Sequence, residues 1–208
     1  MSSPARQRPA AHDVSKPAQD REPRDGYLDA ARACILDVGW RRTTLTEVAK
    51  RAGVSRMTIY RAWPDMGSLL GDLMTREWVG IAAATQVAAA DTTTPEGIAQ
   101  AALATVRALR DNELFVRIVE LDPDLMLPYL LHRRGRSQEA LVEILAAQIA
   151  SGQVDGAIRS GDPVLMARSL TLAGHGFVFS ALTMTDDRVG LDDLDAEYAR
   201  AVARALEP

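Results

Sequence analysis

The residues best suited to chemistry crowd into one short stretch. Between positions 40 and 63 lie Arg41, Arg42, Lys50, Arg51, Arg56 and Arg61, and the only acid among them is Glu47. Thr44, Thr46, Ser55, Thr58 and Tyr60 add hydroxyl groups to the same stretch. Guanidinium groups can donate two bonds to a guanine edge, and Thr or Met can meet a thymine methyl. Tyr and Ser hydroxyls can hold phosphates and so fix register. The chemistry this points to is nucleic-acid binding; the plainer alternative is a solvated basic surface. The rest of the chain has the opposite charge. Residues 1–70 hold 12 Lys and Arg against 8 Asp and Glu, residues 71–208 hold 12 against 20, and the whole is −4. A basic module beside an acidic body suggests two functions in one chain.

No comparable pattern suggests catalysis. The histidines His12, His132 and His175 lack metal-ligand spacing, and the single cysteine, Cys34, lies on a helical core stripe. There is no Gly-rich phosphate loop and no nucleophile elbow. An enzyme is therefore not expected, nor a cofactor or a bound metal. The first 25 residues have no apolar core of a signal peptide, and the uncharged run 169–185 is too short and polar to span a membrane. A cytoplasmic, soluble protein is the expectation.

The elements that must position the basic residues are short helices. Aromatic residues are only 5% of the chain, and Ala and Leu carry the apolar load, which favours helix over sheet. Residues 1–24 are rich in Pro, Ala, Arg and Ser without periodicity, and read as a disordered arm. Leu28, Ala31, Ile35 and Val38 mark a first helix that stops at Gly39. Thr44 and Glu47 have the spacing of a capping box, in which each side chain satisfies a backbone N–H at the start of a second helix. Gly53 suits a left-handed turn, and Ser55 can cap a third helix from 56 to about 62. That helix would bury Ile59 and show Arg56, Met57, Thr58, Tyr60 and Arg61. Two short helices joined by a tight turn, the second displaying Arg, Thr and Tyr, are the parts of a helix-turn-helix.

Residues 27–74 resemble the N-terminal module of TetR-type transcriptional regulators. The resemblance rests on Gly39 followed by Thr43-Thr44, on the segment AGVS at 52–55, and on Thr58-Ile59-Tyr60 leading to Trp63-Pro64-Asp65. It implies that Thr46, Arg56, Met57, Thr58 and Arg61 face the DNA groove, and that Thr44 and Tyr60 meet phosphates. The family usually carries a phosphate-binding Lys where this chain has Met66. Either Arg61 or the start of the fourth helix replaces it, or affinity is lower.

Beyond the head, Asp65 can cap a long fourth helix reaching about residue 90, roughly 35 Å at ~1.5 Å per residue. Thr94-Pro95 opens a fifth helix and Asp111 can cap a sixth. Asp122-Pro123 starts a piece interrupted by Pro128, and Arg133-Arg134-Gly135-Arg136 reads as a basic connector. A seventh helix is expected from about 137 to 150, a loop over 151–163, an eighth helix to about 183 and a ninth over 191–206. The eighth is apolar around nearly its whole circumference, which suggests a subunit interface as well as a core. The resemblance adds that relatives dimerise through their last two long helices, and a twofold dimer implies a pseudo-palindromic operator.

The fold expected is all-α: a three-helix helix-turn-helix head and a six-helix ligand-binding and dimerisation body. The divisions are an arm at 1–24, a DNA-binding domain at 25–66 and an effector-binding and dimerisation domain at 67–208. His175, inside the eighth helix, is either a buried histidine with one partner or a polar anchor in an apolar pocket. Phe115, Met126, Tyr129, Gln148 and Phe179 are the residues placed around such a pocket, and ordinary core is the alternative for each. The expected partners are double-stranded DNA, a small apolar effector and a second copy of the chain. Two other outcomes stay open: a DNA-bound protein whose output is a protein partner, and a ligand-binding scaffold that has lost its operator.

Overall fold

The structure, a computed structural model, describes residues 23–89 and 91–208. Most of the expected N-terminal arm, residues 1–22, lies outside them. Helix α1 (Pro23–Val38) opens the described chain, a turn earlier than Leu28. Pro23 suits that first position because its missing N–H needs no partner. Then follow α2 (Leu45–Arg51), α3 (Arg56–Ala62), α4 (Met66–Ala88), α5 (Pro95–Arg110) and α6 (Glu113–Leu121). After them come α7 (Leu127–Leu131), α8 (Arg136–Val154), α9 (Pro163–Phe179) and α10 (Leu191–Leu206). No β-strand occurs among the described residues. The sequence's seventh, eighth and ninth helices are α8, α9 and α10. The piece broken by Pro128 is a 3-10 turn followed by α7, with Pro128 in the first turn of α7.

Local chemistry sets most of the boundaries. Asp65 accepts the Ser68 N–H at 2.7 Å and starts α4. Thr94 accepts the Gly97 N–H at 3.1 Å and starts α5. The cap of α6 is Asn112, not Asp111: Asn112 Oδ1 accepts the Phe115 N–H at 3.0 Å, while the Asp111 N–H still bonds Arg107 O at the end of α5. The expected loop over 151–163 begins later, because α8 runs on to Val154. Gly152 is a packing residue there: a Cβ on it would lie 2.2 Å from the Thr93 carbonyl oxygen. The turn comes at Gly156, with φ 71°. The eighth predicted helix ends at Phe179. Ser180 O then accepts the Thr183 N–H and hydroxyl, tightening the chain into a 3-10 turn.

Two hydrophobic clusters hold the chain. One joins α1, α2, α3 and the first half of α4 to α6 and Met126. The other joins α5, α8, α9 and α10. The first binds the head firmly to the body, since Leu28, Ile35, Ile59 and Trp63 share it with Leu73, Leu114 and Ile118. Cys34 is part of it, and burial pushes its thiol up from its ordinary value. Polar contacts reinforce the joint. Asp122, 3% exposed, accepts the Trp40 N–H at 3.1 Å and pairs with Arg41 at 3.1 Å. The second cluster is pinned by Asp195 on α10, which is 1% exposed and meets Arg107 at 2.7 Å and Arg110 at 2.6 Å. Burial pushes the Asp195 carboxyl up. The hydrogen bonds and charges of the two arginines outweigh that and hold it below the ordinary carboxylate range.

Candidate functional site

The head displays one polar face. Gly53 takes the left-handed conformation, φ 68°, and turns the chain between α2 and α3. Ser55 accepts the Thr58 N–H at 3.2 Å, and its hydroxyl lies 2.9 Å from that of Thr58. These caps fix α3 so that Ile59 and Trp63 are buried and Arg56, Met57, Tyr60 and Arg61 are exposed. Met57, 62% exposed, is an apolar side chain held out in solvent. Thr44 is exposed at the start of α2, and Thr46 and Thr58 are half-buried beside it. All seven residues proposed from sequence therefore reach the surface of the α2–α3 pair.

The capping box forms in altered shape. The Thr44 hydroxyl accepts the Glu47 N–H at 3.2 Å, as its spacing predicts. Glu47, however, accepts the Thr44 hydroxyl at 3.2 Å, so the two side chains bond each other. The basic segment is also less basic than it reads. Arg41 pairs with Asp122 and Asp124, and Arg51 pairs with Asp37. Arg42, Lys50, Arg56 and Arg61 have no carboxylate within ion-pair distance among the described residues. Met66 is half-buried and packs against the head's core, the role its apolar side chain dictates.

The end of α3 is tied to the rest of the chain at one carboxylate, Asp72 of α4. Trp63, which closes α3, donates its indole N–H to Asp72 at 2.7 Å. Arg24 of α1 bonds the same oxygen, and Arg136 at the start of α8 bonds the other at 2.5 Å. Burial alone would raise the Asp72 carboxyl. The bonds from Trp63, Arg136 and Arg24 bring it below the ordinary range instead. The sequence reading does not single out Asp72, because its partners are 9, 48 and 64 positions away.

A cavity of about 590 Å³ opens where the two hydrophobic clusters meet. It is lined by α4, α5, α6, α7, α8 and α9, with Tyr198 from α10. Of the six pocket residues proposed from sequence, Phe115, Met126, Tyr129, His175 and Phe179 line it. Gln148 is not among the lining residues; it bonds Gln86, which is. Trp78, Phe115 and Phe179 pack in series, edge-to-face then tilted, with ring centres 6.0 and 5.3 Å apart, and His175 extends the row edge-on at 6.4 Å from Phe179. Burial lowers the His175 pKa, which favours the neutral imidazole, and its Nε2 lies 3.4 Å from Gln138 Nε2. Burial pushes the Tyr198 phenol up to about 12. Trp78, Gln138 and Arg133 also line the cavity. Sequence reasoning passes over Arg133 because its run of arginines resembles a surface connector.

A capped helix-turn-helix with an exposed second helix, joined to a helical body with a cavity, is the architecture of a DNA-binding transcriptional regulator. The profile of bacterial regulatory proteins of the tetR family matches residues 28–73. The chain is 36% identical over 154 residues to the uncharacterized HTH-type transcriptional regulator Mb2274c of Mycobacterium bovis, covering 74% of this chain and 79% of that protein. It is 35% identical, over the same shares, to Rv2250c of Mycobacterium tuberculosis, described in the same words. The chain belongs to the tetR family of bacterial regulatory proteins. Solved structures share the fold. The transcriptional repressor QsdR of R. erythropolis superposes with TM-score 0.67 at 17% identity, over 88% of this chain and 94% of that one. The repressor AlkX of Dietzia sp. gives 0.64 at 18% identity, over 90% and 96%. SmeT in complex with triclosan gives 0.57 at 20% identity, over 89% and 92%. Among the described residues no helix is long and apolar enough to cross a membrane.

Proposed function

We propose that this chain is a cytoplasmic transcriptional repressor, not an enzyme, that binds a pseudo-palindromic operator as a homodimer and is released by a small, largely apolar effector. The observation that carries the reading is the exposed face of α3, rigidly capped and presenting Arg56, Met57, Tyr60 and Arg61 together. In this reading Arg56 reads a guanine edge, and Met57 and Thr58 meet a thymine methyl. Thr46 and Arg61 face the groove, while Thr44 and Tyr60 hold phosphates. The DNA-binding division is 25–66 and the effector and dimerisation division 67–208, with the core shared between them.

The dimer forms through α9 and α10. One side of α9 packs in the body through Met166, Ala167, Leu170 and Gly174. Its other side leaves Leu165 and Leu172 in solvent, 62% and 71% exposed, and Leu182 and Met184 in the turn that follows are exposed as well. An apolar patch of this kind marks an association surface. A second copy would cover it and set two α3 helices about one DNA turn apart, ~34–36 Å. The cavity supplies the switch. It borders α4 along much of that helix, and α4 joins the head to the body. A ligand that binds better to the arrangement with wrong head spacing shifts the population away from DNA. The SmeT complex with triclosan supports a ligand site in a body of this fold.

Crosslinking the full chain to the chromosome in living cells and sequencing the bound fragments tests this. Inverted repeats overlapping promoters, with transcription rising when the gene is deleted, are the expected result. Fragments away from promoters would transfer the output to a protein partner. No sequence enrichment would leave a scaffold that has lost its operator.

A further inference from the structure

One wall of the cavity is basic although the body as a whole is acidic. Arg133, Arg134 and Arg136 all line it, and the only acid among the lining residues is Asp65. That carboxylate is already engaged by the Ser68 N–H. Arg134 is held by Glu139 at 2.8 Å and Arg136 by Asp72 at 2.5 Å. Arg133 has no carboxylate partner among the described residues. Its guanidinium stacks 5.0 Å from the centre of the Tyr129 ring, another lining residue. The first turn of α8, Arg136 to Gln138, lines the same cavity and brings the positive end of a 19-residue helix to it. On the α4 side, the Trp78 indole nitrogen is buried with no hydrogen-bond partner among the described residues. Arg133, exposed at the cavity's rim, donates to the Tyr129 hydroxyl at 3.5 Å and to no carboxylate among the described residues, and Trp78 has no acceptor among them; both are donors that a ligand acceptor could engage.

The remainder of the lining is largely apolar, with Leu70, Met74, Ile98, Phe115 and Ile144 among it. The α4 residues that border it run from Gly67 to Gln86, roughly 30 Å along the helix at ~1.5 Å per residue. A cavity of about 590 Å³ drawn out along that length suits an extended chain better than a compact body. A guanidinium without a carboxylate partner is one planar fork, and a carboxylate is its geometric match.

We propose that the effector is an extended apolar chain ending in a carboxylate, with the carboxylate at Arg133 and the chain along α4. This rests on reading the cavity as the effector site and gives that site its ligand class. The position also gives the ligand a route to the head. Arg136, on the same wall, is the residue that connects the cavity to Asp72, and Asp72 holds Trp63 at the end of α3. A carboxylate beside Arg136 competes with Asp72 for it.

Calorimetric titration of the full chain with decanoate and with decanol separates charge from chain. Wild type should bind decanoate roughly twofold to fivefold more tightly than decanol, the scale of one exposed ion pair. Arg133→Gln should remove most of that margin, and Arg133→Lys, which keeps the charge, should restore part of it. Circular dichroism confirms that each variant is folded. Equal affinity for the two probes, no decanoate binding, or a margin unchanged in Arg133→Gln overturns the proposal. The titration needs no operator. If the chain selects no DNA, the regulatory reading falls and the ligand class still stands or falls on its own result.

Discussion

Replacing Asp72 by Ala removes three bonds at once, and their environments set the size of the effect. Trp63 is 1% exposed, so its indole N–H loses its partner where water cannot replace it. Leaving a buried donor unpaired costs about 1–3 kcal/mol. The two arginines are different. The side chains of Arg24 and Arg136 are 52% and 64% exposed and recover hydration, so each pair contributes ~0–1 kcal/mol. The sum is a loss of about 1–5 kcal/mol, dominated by the tryptophan. For a chain of this size that lowers the melting temperature by roughly 2–20 °C. Asp72→Asn keeps an acceptor for the indole and loses the charge, so it should fall between wild type and Asp72→Ala. Thermal melting followed by circular dichroism reads all three. Operator affinity should fall as well, because Trp63 ends α3, the helix proposed to enter the groove. An Asp72→Ala variant that melts with wild type would refute the reasoning, and so would an Asn variant as damaged as Ala.

Other consequences follow from single groups. Arg56→Ala should weaken operator binding by about 1–3 kcal/mol and relax preference at one base pair per half-site, read by anisotropy on single-base variants. Asp195→Ala strands Arg110, whose side chain is only 10% exposed, and should cost about 3–5 kcal/mol in urea unfolding. The Asp195 carboxyl titrates below its unfolded range, so its contribution is present above about pH 4 and is lost as pH falls through the depressed folded value. An acid-unfolding midpoint unchanged in Asp195→Asn would contradict that sign. His175→Ala should change the response to effector, measured as the ligand concentration that releases half the operator. Gly152→Ala drives a Cβ against the Thr93 carbonyl and should destabilise by about 1–3 kcal/mol in the same unfolding assay.

How far the sequence could be read depended on the range of the interactions. The head was legible almost residue by residue because its determinants are local. The Thr44 and Ser55 caps, the left-handed Gly53 and the buried Ile59 each act within a few positions. Charge was misjudged for the opposite reason. Arg41 looks free in the sequence, yet its acids stand 81 and 83 positions away, at the end of α6 and in the 3-10 turn after it. Gly152 read as a turn signal, because a glycine chosen for close backbone approach looks the same as one chosen for φ. In the body, residue type alone placed Phe115, Met126, Tyr129, His175 and Phe179 on one cavity. Type could not distinguish Gln148 from Gln86, or show that the exposed Arg133 borders the cavity, since both depend on how two helical clusters meet. Asp72 left no local mark at all: its role exists only once α1, α3 and α8 converge on α4.

The central claim is that two copies of this chain read DNA through paired α3 helices. Selection of binding sites from random duplex DNA, with purified protein at fixed salt, tests it most directly. The account predicts an inverted repeat with half-sites centred about one helical turn apart, ~34–36 Å, and a shift in the selected bases when Arg56→Ala is used. Protein that is folded and dimeric yet enriches no sequence would contradict it.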